Sequence, residues 1–296
     1  MRNGTGNRSA KCPDMILKTK QKIALAAIAY RILSTARFLF GKNDCVQVRR
    51  GGFRWQLDLR EGIDFAIYLL GAFESSTADI LRKLVRRGDI VIDIGANIGA
   101  HTLGLAQSAG SAGQVYAIEP TDFAFAKLKQ NLALNPELDA RVHAHQILLA
   151  AERHAPRQLE IYASWPLKSA TTVHSKHGGR LVTTQHAEVA TLDDFVARSG
   201  IERVDLIKID VDGHEYPVLK GGSETLARFR PILVMEMSPY IHAEENHKFE
   251  ELIGLLGQHG YSLQDTDQQS SVPLDADQLR RMIPDGSSIN VIAHPT

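Results

Sequence analysis

Two cysteines in 296 residues, Cys12 and Cys45, are too few and too far apart to frame a disulfide-stapled domain or a zinc site. A reducing, cytoplasmic setting is therefore the expectation. An excess of one charge is also missing, since 34 Lys and Arg balance 34 Asp and Glu. Global charge gives no reason to expect a nucleic-acid partner. Long apolar runs are lacking near the N-terminus, where the uncharged stretch Ile23 to Tyr30 falls far short of the ~20 residues that cross a bilayer. Arg31 and Arg37 interrupt the apolar core that a signal peptide would need. What is present is a chain with 44% hydrophobic residues, long enough for one main domain with a large core.

The most informative stretch is I-V-I-D-I-G-A-N-I-G-A-H-T at 90–102. Its first four residues, running into Asp93, predict a buried parallel strand. Gly95, Ala96, Asn97 and Gly99 predict a tight turn, and Ala100 through Ala109 a helix. A strand, a small-residue turn and a helix start gather backbone N–H groups and a carboxylate around a nucleotide-like ligand. The next strand, Gln114 to Ile118, ends in Glu119-Pro120, 26 residues after Asp93. In a βαβ unit such an acid emerges beside the first turn, where it can accept hydrogen bonds from ribose hydroxyls. The nicotinamide fingerprint would need glycines where Asn97 and Ala100 stand, and Gly99 is not followed by the Lys-Ser or Lys-Thr of a phosphate-binding loop. A nucleotide-cofactor oxidoreductase is thus the weaker enzyme class, and a non-catalytic binding module of the same fold is a third alternative.

The flanking segments read more simply. Residues 1–43 carry nine Lys or Arg against Asp14 alone, and Ile16 to Phe40 mixes basic and apolar residues in a helical rhythm. Such a helix can lie on an anionic membrane surface or pack on its own domain. Val46–Arg50, Gly51-Gly52 and Phe53–Leu59 predict a hairpin. An apolar stretch runs from Phe65 to Phe73, and Ser76 with Asp79 resembles a capping box for a helix ended by Gly88. Asp122 to Leu134 predicts a helix stopped by Asn135-Pro136. Arg141–Leu149 and Gln158–Tyr162 are strand candidates. Residues 163–190 read as a loop or short hairpins over the sheet that shape a substrate pocket.

A second block spans Val204 to Met237. Val204 to Asp210 is a buried-strand pattern followed by Val211-Asp212-Gly213-His214-Glu215, and Pro231 to Glu236 is another strand ending in an acid. In an open α/β sheet the ligand lies beyond the carboxyl ends of the strands. Asp93, Glu119, Asp210 and Glu236 each fall at such an end, which capping alone does not explain.

I-V-I-D-I-G-A-N-I-G at 90–99, E-P at 119–120, T-L-D-D-F at 191–195 and I-K-I-D-V-D-G-H-E-Y-P-V-L-K-G at 207–221 together resemble the FkbM-type methyltransferases. The similarity covers roughly residues 60–260. It implies a class I methyltransferase (Rossmann-like) α/β fold, an open sheet with helices on both faces, over residues 61–296. Residues 1–60 would add a basic helical and hairpin extension. It also implies S-adenosylmethionine as cofactor and O-methylation of a hydroxyl on a glycan, polyketide or other secondary metabolite. Asp93, Gly95, Ala96, Asn97 and Gly99 would then line the methionine part of the cofactor, and Glu119 would hold the ribose. Two departures are Asp212, where the family usually has Glu, and Leu148-Leu-Ala-Ala-Glu152, where many relatives have an A-L-S-D-like segment.

An alcohol acceptor is a weak nucleophile and gains from a base, worth typically ~10²–10⁴-fold. His214 is the first candidate because its ordinary pKa lies near neutrality; Asp210, Asp212 and Glu236 are the others. No HExxH or CxxC spacing occurs, His143 and His145 read as surface residues on one strand face, and no metal is expected. The remaining histidines are given no role.

Overall fold

The computed structural model describes residues 19–154, 160–163, 166–167, 180–244, 249–267 and 270–296. The chain starts with helix α1 (Thr19–Leu39) and a hairpin of β1 (Cys45–Arg50) and β2 (Phe53–Asp58). Helices α2 (Gly62–Leu70) and α3 (Ser75–Leu84) lead into β3 (Ile90–Ile94), α4 (Thr102–Ala109) and β4 (Gln114–Ile118). Then come α5 (Asp122–Ala133), α6 (Pro136–Asp139), β5 (Val142–His145) and β6 (Ile147–Leu149). Strands β7 (Glu160–Ala163), β8 (Arg180–Thr183) and β9 (Glu188–Ala190) precede α7 (Leu192–Arg198) and β10 (Leu206–Ile209). Helices α8 (Glu215–Lys220) and α9 (Ser223–Phe229) connect to β11 (Ile232–Met237). The last part comprises α10 (Pro239–Glu244), α11 (Phe249–Gln258), β12 (Tyr261–Asp265), β13 (Ser271–Val272), α12 (Ala276–Met282) and β14 (Ile289–Pro295).

Eight strands form one open sheet in the order β13-β12-β14-β11-β10-β3-β4-β5. Strands β11, β10, β3, β4 and β5 are parallel, while β14, β12 and β13 extend the sheet antiparallel beyond β11. This is the open α/β sheet that the family resemblance implied. Alternation along β3 explains the two layers. Ile92 and Ile94 enter a core with Ile207, Ile209 and Leu233, whereas Val91 enters a second core with Val115, Ala117 and Leu103. Side chains two apart share a face, so one strand feeds both cores.

The extension has no core of its own. Tyr30, Trp55, Leu57 and Leu59 are buried in the second core. The hairpin is fixed by two asparagines, Asn131 in α5 and Asn135 between α5 and α6. Asn131 Oδ1 accepts from the Gln56 N–H at 2.8 Å, and Asn135 Oδ1 from the Arg54 N–H at 3.0 Å. Asn135 also donates to the Arg54 carbonyl at 2.8 Å, which satisfies an exposed edge of β2.

Several local expectations are corrected. Helix α3 is capped at Glu74, with φ 44°, and not through a Ser76–Asp79 box, since Ser76 already lies inside the helix. Helix α4 begins at Thr102, because Gly99 to His101 continue the turn. The segment 141–149 is two strands in different sheets: β5 closes the main sheet and β6 pairs with β9. At the break, Gln146 turns out to donate to Asp122 at 2.6 Å. Pro136 does not simply stop α5 but opens the single turn α6, as proline does at a first helical position. At 163–190, β8 pairs antiparallel with β7, and Pro166 and Leu167 between them return to the chain beside Arg60 and Glu61. Residues 164–165 and 168–179 lie outside the described residues, as do residues 1–18. Among the described residues no helix is long and apolar enough to cross a membrane.

Candidate active site

A cavity opens at the carboxyl ends of β4, β3, β10 and β11. Its wall includes Gly95, Ala96, Asn97, His101, Glu119, Lys208, Asp210, Asp212, His214 and Glu236. Four adjacent parallel strands therefore bring together residues that are 141 positions apart in the chain, from Gly95 to Glu236.

The turn after β3 forms one side. Gly95 (φ 74°) and Asn97 (φ 48°) both adopt the left-handed conformation, and Asn97 Oδ1 accepts from the next N–H, of Ile98, at 2.9 Å. Asparagine is among the few residues that tolerate this conformation, because its amide can bond locally. Gly95 is required for a different reason than ligand approach. A methyl group there would stand 1.8 Å from the Asp210 carbonyl oxygen, so the turn passes directly against the end of β10. Gly99 does not line the cavity; a methyl there would meet Leu128 of α5 at 3.0 Å.

Asp93 is fully buried and also stays out of the cavity wall. Its Oδ2 accepts from the Thr102 hydroxyl at 2.6 Å, and its Oδ1 lies 3.3 Å from Lys208 Nζ. Lys208 donates to the Gly95 carbonyl at 2.9 Å and stands 3.6 Å from Asp210 Oδ2. Burial alone would depress the Lys208 pKa, but the carboxylates of Asp93 and Asp210 together outweigh it and raise the value. The ammonium thus ties the turn, β3 and β10 together. The apolar run of β10 hid this lysine in the sequence; its only signal was a cation on a strand predicted to be buried.

Glu119 is buried and shared among three donors. Oε2 accepts from the Asn97 N–H at 2.9 Å, and Oε1 accepts from the N–H of Thr121 at 2.9 Å and its hydroxyl at 2.5 Å. Burial pushes its pKa up despite those bonds. Oε1 has both lone pairs engaged by Thr121, whereas Oε2 accepts from Asn97 alone and keeps capacity for a ligand hydroxyl.

On the opposite side, Asp210, Asp212 and Glu236 converge, with one oxygen of each lying within 4.8 Å of the others. The structure thus assembles a group able to hold a divalent ion, although no metal is expected from sequence motifs. Burial, followed by the charges of Asp210 and Glu215, pushes Asp212 up to about 8. Glu236 is raised well above the carboxylate range by burial and by Asp210 and Asp212. Asp212 sits at φ 48°, in the left-handed region that Asp, like Asn, adopts more readily than other side-chain-bearing residues, inside the turn that opens α8. His214 is half-buried, lines the cavity and occupies the N-cap position of α8 without a side-chain capping bond.

His101 is the residue that sequence reasoning missed. It is 5% exposed, forms part of the cavity wall, and among the described residues neither ring nitrogen has a hydrogen-bond partner. Burial, then the Lys208 charge, drives its pKa down to about 3, so the ring is neutral. A buried ring without partners in a cavity wall calls for a ligand group to satisfy it. His143 is exposed and shares a strand face with His145, as expected, but His145 is half-buried. They stack against Tyr116, with centroids 4.9 and 6.3 Å apart, and His145 also meets Phe195 at 5.0 Å.

The motif at 191–195 is structural. Thr191 caps α7 by accepting from the Asp194 N–H at 3.0 Å. Asp193 caps α9 by accepting from the N–H groups of Glu224 at 3.0 Å and Thr225 at 2.7 Å.

A family model described as the methyltransferase FkbM domain matches residues 93–263, from the buried acid of β3 to the antiparallel strand β12. The chain belongs to the FkbM methyltransferase family. Its cofactor is S-adenosylmethionine, which sets aside the nicotinamide alternative. Among curated relatives, 2-O-methyltransferase NoeI of Sinorhizobium fredii is 26% identical over 164 residues, covering 51% of this chain and 64% of NoeI. The 31-O-demethyl-FK506 methyltransferase FkbM of Streptomyces tacrolimicus is 25% identical over 205 residues, covering 60% of this chain and 75% of the relative. The chain thus spans less than two thirds of NoeI's length. A solved FkbM methyltransferase from Methylobacillus flagellatus aligns at 17% identity with a TM-score of 0.42, covering 73% of this chain and 50% of that one.

Proposed function

We propose that this FkbM-family protein transfers a methyl group from S-adenosylmethionine to a hydroxyl of a glycan, polyketide or other secondary metabolite. The observation that carries the reading is the cavity itself. One wall is a cofactor turn and the other holds a histidine and three carboxylates, with open space between. The described wall bears Glu74, Glu119, Asp210, Asp212 and Glu236 against Lys208 as its one ammonium. A cofactor carrying a sulfonium and an ammonium suits that excess of carboxylates. When bound, the cofactor supplies a methyl group on a good leaving group.

The chain's own residues do the rest. Gly95, Ala96 and Asn97 present backbone to the methionine part, and Glu119 takes the ribose hydroxyls. Ile147, Leu148 and Leu149 offer an apolar side to the base. Asp93 and Gly99 act from behind, Asp93 through Lys208 and Thr102, and Gly99 through its packing on Leu128. His214, with Asp210 and Glu236 beside it, would take the acceptor proton. Residues 61–296 form the methyltransferase domain in this reading, and residues 1–60 its extension. The relatives NoeI and FkbM, named as a 2-O-methyltransferase and a 31-O-demethyl-FK506 methyltransferase, support oxygen as the acceptor atom.

Labelled methyl transfer to a panel of sugars and polyols tests the proposal. His214→Ala is expected to lower kcat by roughly 10²-fold or more with cofactor affinity nearly unchanged, as for a group that acts in the transition state. An equal loss of cofactor binding would make His214 structural. Binding of the cofactor with no turnover on any acceptor would leave a binding module.

A further inference from the structure

Helix α1 carries two apolar faces, and among the described residues only one is packed. Tyr30 is buried, with Ala26, Ala29 and Leu33 packed beside it against the second core. Leu25, Ile28, Ile32 and Leu39 follow one another at three-, four- and seven-residue steps along an adjacent stripe, and they are 56%, 55%, 69% and 76% exposed. The helix then ends in Phe38-Leu39-Phe40, and both phenylalanines are also largely exposed. Arg37 donates to the Tyr68 hydroxyl at 3.4 Å, which brings this end beside the exposed Leu69 and Leu70 of α2. Seven of the eleven large exposed hydrophobic side chains in the described residues thus belong to these two neighbouring helices, and Phe40 directly follows the first. Soluble proteins rarely leave such a contiguous patch uncovered without a partner for it.

The sequence around the patch is basic. Between Asp14 and Asp44 the chain contains Lys18, Lys20, Lys22, Arg31, Arg37 and Lys42 and no acid, and Asp44 is taken up by the Tyr30 hydroxyl on the inner face. A second copy of this chain meeting the same face would set a basic helix against a basic helix. A surface that offers anionic groups above an apolar interior matches both features. We propose that the outer face of α1, with the Phe38–Phe40 corner and the end of α2, seats the protein on anionic lipid. The inner face of the same helix is what joins it to the catalytic domain. The inference goes beyond the proposed transfer reaction and does not depend on the acceptor.

Flotation of the full chain with vesicles of phosphatidylcholine, with and without phosphatidylglycerol, at low and high salt tests it. The protein is expected to float with the anionic vesicles at low salt. High salt or removal of phosphatidylglycerol should weaken binding by at least about tenfold, since each Lys or Arg near the surface counts separately. The variant Phe38→Glu/Phe40→Glu should lose flotation while its melting temperature and cofactor affinity stay unchanged, because both side chains are exposed and far along the chain from the site. Failure to float with anionic vesicles at low salt would overturn the proposal. So would sedimentation showing a dimer that the double variant dissolves, which would assign the face to a second copy instead.

Discussion

His101 shows how a residue can be invisible in the sequence and plain in the structure. It follows Ala100 in a turn whose glycines and asparagine draw all the attention, and nothing in its neighbours marks it as buried. The fold encloses it in the cavity wall with neither ring nitrogen paired among the described residues. An unsatisfied buried polar group costs about 1–3 kcal/mol, a cost retained only where function needs it. Replacing it by an apolar ring of similar shape separates the two effects. His101→Phe is expected to raise the melting temperature while lowering kcat/KM by roughly tenfold, the value of one hydrogen bond to a bound ligand. Unchanged kcat/KM in a stabilised variant would show that the ring faces no ligand group. Asp93, by contrast, was legible as a site residue but not in its manner of action. Its carboxylate reaches the cavity only through Lys208 and the turn that Lys208 holds.

The turn between β3 and α4 is the element on which the site depends. Its glycine pattern reads as a cofactor loop, yet the tightest constraint on Gly95 is the carbonyl of Asp210 on the neighbouring strand end. Gly95→Ala would place a methyl 1.8 Å from that oxygen on a residue with φ 74°. Backbone must move, and a loss of more than ~4 kcal/mol is expected, of the kind reserved for forced packing and strained φ. Chemical denaturation will read it, and a variant as stable as the parent would mean that the β10 end yields freely. The elements that the sequence made clear are those with strong local periodicity: β3, β4, β10 and β11 as apolar runs ending in acids, and α5 with its stripe of Leu128 and Leu132. The misjudged ones were decided by tertiary partners. The split of β5 from β6 depends on two different sheets, and the cap of α3 on a left-handed Glu74. The antiparallel strands after Met237, for which no local pattern was read, depend on pairing with β11 and with one another across many residues. Nothing local announces such pairings.

Taken together, the strand ends give the molecule a cavity far more acidic than its balanced composition suggests. Net charge is zero across the chain, yet five carboxylates face Lys208 in one enclosed space. Proximity of Asp210, Asp212 and Glu236 raises the question of a metal, and Lys208 at 3.6 Å from Asp210 already supplies a cation there. Transfer activity is therefore expected to survive EDTA, and restoration by Mg²⁺ of an activity lost to EDTA would refute this. The same crowding of carboxylates couples cofactor binding to protons. Asp212, at about 8 in the free protein, is largely protonated at neutral pH, because burial and its neighbours' charges disfavour the ionised form. A bound sulfonium favours the carboxylate and lowers that pKa, so binding must release protons. By linkage, affinity rises with pH below about 8 and levels off above it, with a slope of up to tenfold per pH unit for one coupled group. Calorimetry of S-adenosylmethionine binding in buffers of different ionisation enthalpy, repeated across this range, measures the release directly. S-adenosylhomocysteine, which lacks the sulfonium charge, should release fewer protons than S-adenosylmethionine. Equal release by both would mean that the acidic wall senses the amino-acid end of the cofactor and not its sulfur.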